Sequence, residues 1–392
     1  MTSLAVDRDQ AFLSAVRRIA DEVAAPTADS VDREARFPTE TVEALKAERA
    51  FSAFVPSEYG GEGLAFETIA AATFELGRRC GASAMVFAMH QIQVASIVRH
   101  LDGAPWFEAY LRDLSAEQRL IASVTSEVGT GGDIGRSIAA VTPADDGLVT
   151  FEKQAPTVSY GAYADDLLTT LRRDPSAEPG DQVVALTRRD QYTLEQMGTW
   201  DPLGMRGTCS PGYTVRARFP SDQVLPTVFS TVATESMVPV THILWSHVWL
   251  GIATDAFERA RAFVRASAKG RTDQPLPIAQ RLSHLMSELS LLRAEVSSGL
   301  RDFTDASADD DREALSTMAM ILRFNNLKIA ASEQAPRICQ GALGVCGIVG
   351  YKNDTPFSIG RHLRDSMSAS LMVANERIHQ TNATLLLIAK DV

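Results

Sequence analysis

A glycine-rich stretch between Ile121 and Val141 combines residue types that bind phosphates or flat heteroaromatic rings. It opens as a short apolar strand and then breaks into three glycines closed by an aspartate: Gly129, Gly131, Gly132 and Asp133. Glycines let the backbone come close to a ligand, and successive free amides beside the hydroxyls of Thr125, Ser126 and Thr130 suit such a ligand. A glycine-rich hairpin turn is the plain alternative. No lysine follows the glycines, so the stretch is not a phosphate-binding P-loop.

Length, charge and cysteine spacing limit what kind of protein this is. The chain has 392 residues, which suggests two or three packed lobes, with a globular composition of 45% hydrophobic and 22% charged residues. The net charge of -11 argues against nucleic acid as the main partner, because phosphate binding needs a basic surface. We see no secretory pattern and no CxxC spacing among the four cysteines. The sequence predicts a cytoplasmic protein with reduced thiols and no metal cluster.

Residues 1–120 have the periodicity of a helical domain. Apolar residues recur at helical spacing along the first segment, at Phe12, Val16, Ile19 and Val23. A later segment, Ser83 to Val98, is apolar nearly all round and is predicted to lie inside the protein. His90 interrupts this segment. A buried histidine is more often a structural hydrogen-bonding group than a catalytic one.

Residues 121–232 lose this periodicity and predict a central β domain. Short runs rich in Val, Thr and Leu are separated by turn residues, as at Leu167–Leu171, Val183–Thr187 and Tyr213–Phe219. The last run alternates apolar and polar residues, which is typical of a half-exposed strand. No βαβ pattern is present.

Residues 233–392 are helical again and predict a bundle of four long helices. One seam steps by three and four residues, through Ile278, Leu282, Leu285, Leu289, Leu292 and Val296. The last predicted helix runs through Leu363, Met367, Leu371, Ala374 and Ile378. The glycines of 341–347 follow a helix, so we reject a dinucleotide fingerprint there. The predicted fold is mostly α with a central β domain.

Several short motifs occur in an order that resembles the acyl-CoA dehydrogenase superfamily over nearly the whole chain. Members of that family carry a Thr-Glu-Pro-Gly-x-Gly-Ser-Asp loop after the first helical lobe, and Ser126–Asp133 matches it at Glu127, Gly129, Gly131 and Asp133. The other matching segments are Thr157–Ser159, which lacks the family's Trp, Leu203–Thr208, Arg271, Gln340 with Gly344, and Arg364 with Asp365.

The resemblance implies a homodimer or homotetramer that binds FAD at a subunit interface. It implies that hydroxyl side chains contact the isoalloxazine ring, namely Ser123, Thr125, Ser126 and Ser159. It places Arg271 and Gln340 at the pyrophosphate or adenine half of a neighbouring subunit's flavin. The remaining predicted cofactor-binding residues are Gly131, Gly132, Thr157, Gly344 and Asn375.

The chain departs from the family at the catalytic base. A dehydrogenase needs a carboxylate that removes the proton next to the thioester carbonyl. Counted from Arg364, that position holds Val373, and the alternative position on the first bundle helix falls near Thr241. Glu376 lies one helical turn beyond Val373 and is the remaining candidate, although a solvated helix surface explains it as well.

A flavin fold without this base resembles the branch of the superfamily that works as two-component monooxygenases. Those enzymes receive reduced flavin from a separate reductase and use molecular oxygen to hydroxylate an electron-rich substrate. His90 falls where several of them carry a pocket histidine and is the predicted catalytic residue, whereas their second histidine falls at Met372. The predicted substrate class is aromatic or indole-like, in secondary metabolism. The competing hypotheses are an acyl-CoA or acyl-carrier dehydrogenase with a displaced base, and a non-catalytic flavin-binding scaffold.

Overall fold

The computed structural model describes residues 3–268, 277–307 and 312–388. The helices, in chain order, are α1 (Ser3–Ile19), α2 (Ala25–Arg33), α3 (Thr39–Ala47), α4 (Phe66–Gly77), α5 (Gly81–Val98), α6 (Pro105–Glu117), α7 (Phe229–Val232), α8 (Val238–Ala268), α9 (Pro277–Ser307), α10 (Met318–Tyr351), α11 (Gly360–Met367) and α12 (Asn375–Ile388). The strands are β1 (Ile121–Val124), β2 (Thr142–Pro143), β3 (Leu148–Ala155), β4 (Asp166–Arg172), β5 (Gln182–Arg188), β6 (Tyr192–Met197) and β7 (Gly212–Pro220). The predicted order of a helical lobe, a β domain and a helical bundle is confirmed.

The N-terminal lobe surrounds α5, the helix predicted to be internal. This helix is long and apolar enough to cross a membrane, but 89% of it is buried inside the protein, as expected of a core helix. The lobe joins the bundle through α4 and α8, which approach each other closely at Gly77 and Gly251. A Cβ atom on Gly251 would lie 2.8 Å from the carbonyl carbon of Gly77, so the approach requires glycine.

The central domain has two sheets rather than one. Strands β1, β4 and β5 form the first, with β1 parallel to β4, and strands β2, β3, β7 and β6 form the second in that order. Because β1 and β2 belong to different sheets, the glycine-rich stretch between them is not a hairpin turn. It is a loop that passes from one sheet to the other. The predicted alternation in β7 is present, with Val215 and Phe219 buried and Arg216 exposed.

The C-terminal bundle contains α8, α9 and α10. Of the seam predicted along α9, Leu285, Leu289, Leu292 and Val296 are buried, whereas Ile278 and Leu282 near its start are half-buried. The prediction of one long fourth helix through Leu363 to Ile378 is wrong. Helix α11 ends at Met367, α12 begins at Asn375, and residues 368–374 form turns between them. Val373 in these turns has a φ of +46°, which a β-branched residue rarely adopts and which an α-helix cannot contain.

Candidate functional site

A cavity of about 1130 Å³ opens where the three regions of the chain meet. The side facing the β domain, which we call the loop wall, consists of Ser123, Thr125, Ser126, Thr130, Gly131, Gly132, Asp133, Ile134, Thr157 and Ser159. The opposing set of helix and turn residues, which we call the helical wall, includes Met85, Met89, Ile92, Gln93, Thr241, His242, Trp245, Ile321, Phe324, Asn325, Met372 and Val373. The two walls differ in chemistry, because one carries hydroxyls and glycines and the other is largely apolar.

The glycines of the glycine-rich loop, two of which belong to the loop wall, adopt backbone conformations that other residues avoid. The φ angles of Gly129, Gly131 and Gly132 are +91°, +60° and +85°. A side chain at these positions would be strained, so the three glycines are required by the path of the loop. The loop therefore presents bare backbone to the cavity.

Glu127 anchors this loop through buried hydrogen bonds and an ion pair. Its carboxylate accepts hydrogen bonds from the Ser137 hydroxyl at 2.7 Å and from the Ala139 amide at 2.6 Å. It also lies 3.5 Å from the Lys153 ammonium, which is buried and donates to the Thr170 carbonyl. Burial lowers the pKa of Lys153 to about 8, and the neighbouring carboxylate opposes that shift. The acid of the loop motif is therefore structural here.

Seven of the predicted cofactor-binding residues come together on the loop wall: Ser123, Thr125, Ser126, Gly131, Gly132, Thr157 and Ser159. The Ser126 hydroxyl donates to the Thr157 carbonyl at 2.8 Å, which joins the loop to the segment after β3. Ser159 accepts a hydrogen bond from Ser210 at 2.9 Å. The fold thus gathers a row of hydroxyls on one side of the cavity. Their role in cofactor binding stays a prediction.

Arg377 of α12 is a residue of this site that sequence analysis missed. It lines the cavity, and its guanidinium donates to the Gly131 carbonyl. The contact joins the C-terminal helix to the glycine-rich loop across a separation of 246 residues. Nothing in the local sequence distinguishes this arginine from a surface residue of an amphipathic helix.

Arg364 and Asp365, the predicted family pair, fasten another part of the rim. Arg364 lines the cavity and donates to the Leu203 carbonyl at 3.1 Å and to the carboxylate of Asp32. Asp365 is buried and accepts from the Met205 amide at 2.7 Å, and burial raises its pKa to about 6. The pair therefore holds the loop at Leu203–Met205 against α11.

Carboxylates are scarce in the cavity. Among the described residues that line it, Asp133 is the single acid, and its Oδ1 accepts from the Gly135 amide at 2.9 Å. The two positions expected for a dehydrogenase base, Val373 and the site near Thr241, both line the cavity and carry no acid. Glu376 is exposed and is not part of the lining. The described lining therefore offers no carboxylate at the positions where the family places its base.

His90, the predicted catalytic residue, does not line the cavity. The expectation that it faces a pocket is corrected by its contacts, because both ring nitrogens are bound to backbone groups. Its Nε2 lies 2.8 Å from the Phe51 carbonyl, and its Nδ1 accepts from the Ile121 amide at 3.1 Å. Burial lowers its pKa to about 4. These are the contacts of the structural alternative, and a catalytic role stays a prediction that mutation must test.

His242 is the histidine that does line the cavity. It is 2% exposed, and its Nδ1 lies 3.1 Å from the Phe324 carbonyl. Burial, assisted by the positive charge of Lys328, lowers its pKa to about 3. His242 was not predicted as a site residue. The signal that could have identified it is its neighbour Thr241, which falls near the alternative position of the family's base.

Asn375, predicted to bind the cofactor, is engaged within the protein instead. Its Oδ1 accepts from the buried Lys328 ammonium at 2.6 Å, and its Nδ2 donates to Ser332 at 3.1 Å. Lys328 also donates to the Val373 carbonyl at 3.0 Å and lies over the Trp249 ring. These contacts hold the turns between α11 and α12, so Asn375 supports the cavity without lining it.

Gln340, predicted to serve a neighbouring subunit's flavin, and the nearby Gly344 are not part of the lining of this cavity. Gln340 and Gly344 are exposed on α10, and the turn expected between them is helical. The helix is interrupted three residues later, at Gly347, whose φ is +58°. Arg271 lies outside the described residues.

The N-terminal helical lobe matches a known family of domains. Residues 7–104 match the acyl-CoA dehydrogenase N-terminal domain. The matched residues lie within the N-terminal helical lobe. The short-chain specific acyl-CoA dehydrogenase of Homo sapiens is 23% identical over 375 residues, covering 95% of this chain and 88% of that protein. The predicted resemblance to the superfamily is confirmed.

The comparisons also include monooxygenases of the same fold. A dibenzothiophene monooxygenase of Rhodococcus erythropolis is 26% identical over 253 residues, which are 62% of this chain and 60% of that protein. The FMN-bound structure of TdsC from Paenibacillus sp. A11-2, another dibenzothiophene monooxygenase, superimposes with a TM-score of 0.81 at 20% identity and covers 96% of this chain and 97% of that one. The chain thus has the acyl-CoA dehydrogenase fold, and its relatives are oxidoreductases of two kinds.

Proposed function

We propose that this protein is a monooxygenase that uses reduced flavin and molecular oxygen to hydroxylate a small, electron-rich aromatic molecule. One observation carries the proposal. Val373 and Thr241 occupy the two positions of the family's base and both face the cavity, whereas the single lining carboxylate among the described residues, Asp133, is engaged in the glycine-rich loop. Without a positioned base the thioester reaction lacks its proton acceptor, whereas hydroxylation requires none.

The loop wall fits a flavin ring. A flat ring with polar edges needs close backbone approach along one side and hydrogen-bonding groups in its plane. The left-handed glycines supply the first, and the hydroxyls of Ser123, Thr125, Ser126 and Ser159 supply the second. A structure of TdsC in complex with FMN and indole gives a protein of the same fold that binds a flavin together with a flat aromatic molecule. When bound, reduced flavin supplies the electrons for oxygen activation.

The helical wall gives the proposed reaction its substrate site. Met85, Met89, Ile92, Phe324 and Met372 line it, and such side chains favour a flat apolar molecule over a charged one. They also keep water away from the reacting atoms, which limits wasteful side reactions. The chain's own task is therefore to hold the substrate against the loop wall in a dry space.

The partners follow from the same proposal. A monooxygenase that takes reduced flavin needs a separate flavin reductase, and we propose a homodimer or homotetramer in which Gln340, Gly344 and Arg271 serve a neighbouring subunit's flavin. FAD is the flavin expected from the resemblance, and the FMN-bound relative makes FMN the alternative to compare. We place the protein in the cytoplasm and in secondary metabolism.

The decisive experiment compares two reactions of the purified protein. The flavin-loaded protein is first mixed with acyl-CoA thioesters without oxygen, and we expect no bleaching of oxidised flavin. Reduced FAD or FMN is then supplied in air with indole or phenols, and we expect hydroxylated product. Bleaching by a thioester would instead establish a dehydrogenase with a displaced base. Neither reaction, with flavin bound, would indicate a non-catalytic flavin-binding scaffold.

A further inference from the structure

We infer that His242 accepts a hydrogen bond from the substrate, so that the cavity selects flat aromatic molecules carrying an N–H or O–H group over molecules of the same shape without one. The inference deepens the proposed function, because it takes the helical wall as the substrate site. It rests on the orientation of one imidazole ring and on the polar atoms beside it.

The tautomer of His242 is fixed by a backbone carbonyl. Its Nδ1 lies 3.1 Å from the oxygen of Phe324. A carbonyl oxygen only accepts hydrogen bonds, so Nδ1 carries the proton and Nε2 carries a lone pair. No hydrogen bond to Nε2 is formed within the parts of the chain that the structure describes, and Nε2 is not one of the fully enclosed atoms there that lack a partner, so it is accessible from the cavity. It is therefore the atom of this ring that remains available to a molecule in the cavity.

Two other buried histidines show why His242 is distinctive. Both nitrogens of His90 are taken by backbone groups. His247, on the same helix as His242, binds the Ile243 carbonyl through Nδ1 and does not line the cavity. His242 combines one occupied nitrogen with a place in the cavity lining. An acceptor that opens into a largely apolar cavity has few partners there, and a donor group on a ligand would satisfy it.

The ring acts as an acceptor rather than as a base that removes a proton. Burial and the charge of Lys328 lower the pKa of His242 to about 3, so it stays neutral at ordinary pH. A phenolic hydroxyl has a pKa of about 10, so proton transfer to this ring is unfavourable by about seven powers of ten. The neutral ring can still hold the hydroxyl or indole N–H in place. His242 is accordingly a substrate-positioning residue.

Two neighbours in the helical wall add to the polar character of this position. Gln93 donates to the Met89 carbonyl through Nε2, and its Oε1 has no partner among the described residues. The indole N–H of Trp245, three residues beyond His242 on α8, also lacks one there. Both atoms are buried within the wall, so we assign the primary contact to His242. These two atoms are enclosed by the wall, so His242 is the polar group there that a ligand can contact.

The test measures binding of indole and of 1-benzothiophene, which keeps the two-ring shape but replaces the N–H by sulfur. Titration calorimetry on the full chain loaded with oxidised FMN avoids any dependence on turnover. One neutral hydrogen bond corresponds to about a three- to tenfold preference for indole. His242→Phe should reduce that preference to about one, and His242→Gln should retain part of it. His247→Phe is the matched control and should leave it unchanged.

Equal affinity of the wild type for both probes, tighter binding of the thiophene, or binding of neither overturns the inference. So does a His242→Phe variant that keeps the preference. If that variant fails to fold, the wild-type ratio and His242→Gln still decide the question. An indole preference without hydroxylation would reject the monooxygenase proposal alone. Hydroxylation without the preference would reject the role of His242 alone.

Discussion

A buried lysine lies behind each wall of the cavity, but the two lysines contact different kinds of partner. Lys153 lies behind the loop wall, 3.5 Å from the carboxylate of Glu127. Lys328 lies behind the helical wall, where a carbonyl, an amide oxygen and the Trp249 ring are its contacts. Burial lowers the pKa of both, to about 8 for Lys153 and about 7 for Lys328. Among the described residues, Lys153 therefore has a carboxylate within ion-pair distance, whereas Lys328 has none that close, although the charge of Glu333 opposes the fall of its pKa.

This difference parallels the proposed division of the cavity into a cofactor side and a substrate side. The loop wall is fixed by charge-assisted hydrogen bonds to Glu127, whose strength exceeds that of neutral ones. The turns carrying Val373 are instead held by a lysine whose charge is costly to bury.

The largest expected effect comes from removing the partner of Lys153. Glu127→Ala leaves a buried ammonium unpaired and frees the amides that Glu127 binds, which should cost about 3–5 kcal/mol of unfolding free energy. Flavin binding should fall with it. Glu152→Ala is the control, because Glu152 is next to Lys153 on β3 but pairs with Arg216 at the surface. Urea denaturation of both variants makes the comparison, and equal losses would mean that the loop wall is not fixed by this ion pair.

His90→Ala should have the next largest effect, and on stability rather than chemistry. The change leaves the Phe51 carbonyl and the Ile121 amide unsatisfied, and each such buried group costs about 1–3 kcal/mol. We expect a lower melting temperature with normal coupling of flavin oxidation to product in the folded fraction. A variant with the wild-type melting temperature, about a hundredfold less hydroxylation and more hydrogen peroxide would restore the catalytic role of His90.

Lys328→Met should change how stability depends on pH. The folded-state pKa of Lys328, about 7, lies below its unfolded value of about 10.5, so the unfolded chain binds more protons between these values. Stability contributed by this residue therefore rises as pH increases from 7 towards 10, by at most about 1.4 kcal/mol per pH unit. Urea denaturation at pH 7 and pH 9 measures it. A difference between wild type and variant that is constant with pH would show that the lysine does not titrate in this window.

The loop wall was largely predictable from sequence, because its determinants are local. The run of glycines, the acid at Glu127 and the neighbouring hydroxyls are contiguous, and the Thr157–Ser159 segment follows a strand with clear alternation. The passage between two sheets was not predictable, since it depends on β1 pairing with β4 rather than with β2. Local sequence thus specified the chemistry of this wall but not its topology.

The helical wall was less predictable, because helical periodicity does not distinguish a core from a cavity. His90 and His242 both interrupt apolar helices, yet one is held by backbone groups and the other faces the cavity. The break before Asn375 was missed because Leu371 and Ala374 keep helical spacing. The turns there depend on Lys328, which is 45 residues away from Val373 in sequence. Long-range contacts of this kind leave no local pattern.

Smaller effects are expected from single hydroxyls of the loop wall. Ser126→Ala and Ser159→Ala should each weaken flavin binding several-fold, because one hydrogen bond contributes about 0.5–1.5 kcal/mol. Fluorescence titration with FAD and FMN measures the loss, with Ser230→Ala, whose exposed side chain is not part of the cavity lining, as the control. Unchanged affinity in both variants would place the flavin ring elsewhere.

The smallest expected effect belongs to Glu376. Its side chain is exposed at the start of α12, and the residue is absent from the described lining of the cavity, so its carboxylate lacks access to a bound substrate. Glu376→Gln should therefore leave the rate of hydroxylation within about twofold of wild type, because surface substitutions seldom perturb a folded protein. The measurement is steady-state turnover with reduced flavin in air, with anaerobic bleaching by acyl-CoA run in parallel.

General bases typically contribute a factor of about 10²–10⁴ to rate. A loss of that size in the bleaching reaction would identify Glu376 as a displaced base that reaches the cavity after movement of the turns at 368–374, and the dehydrogenase alternative would then replace the monooxygenase.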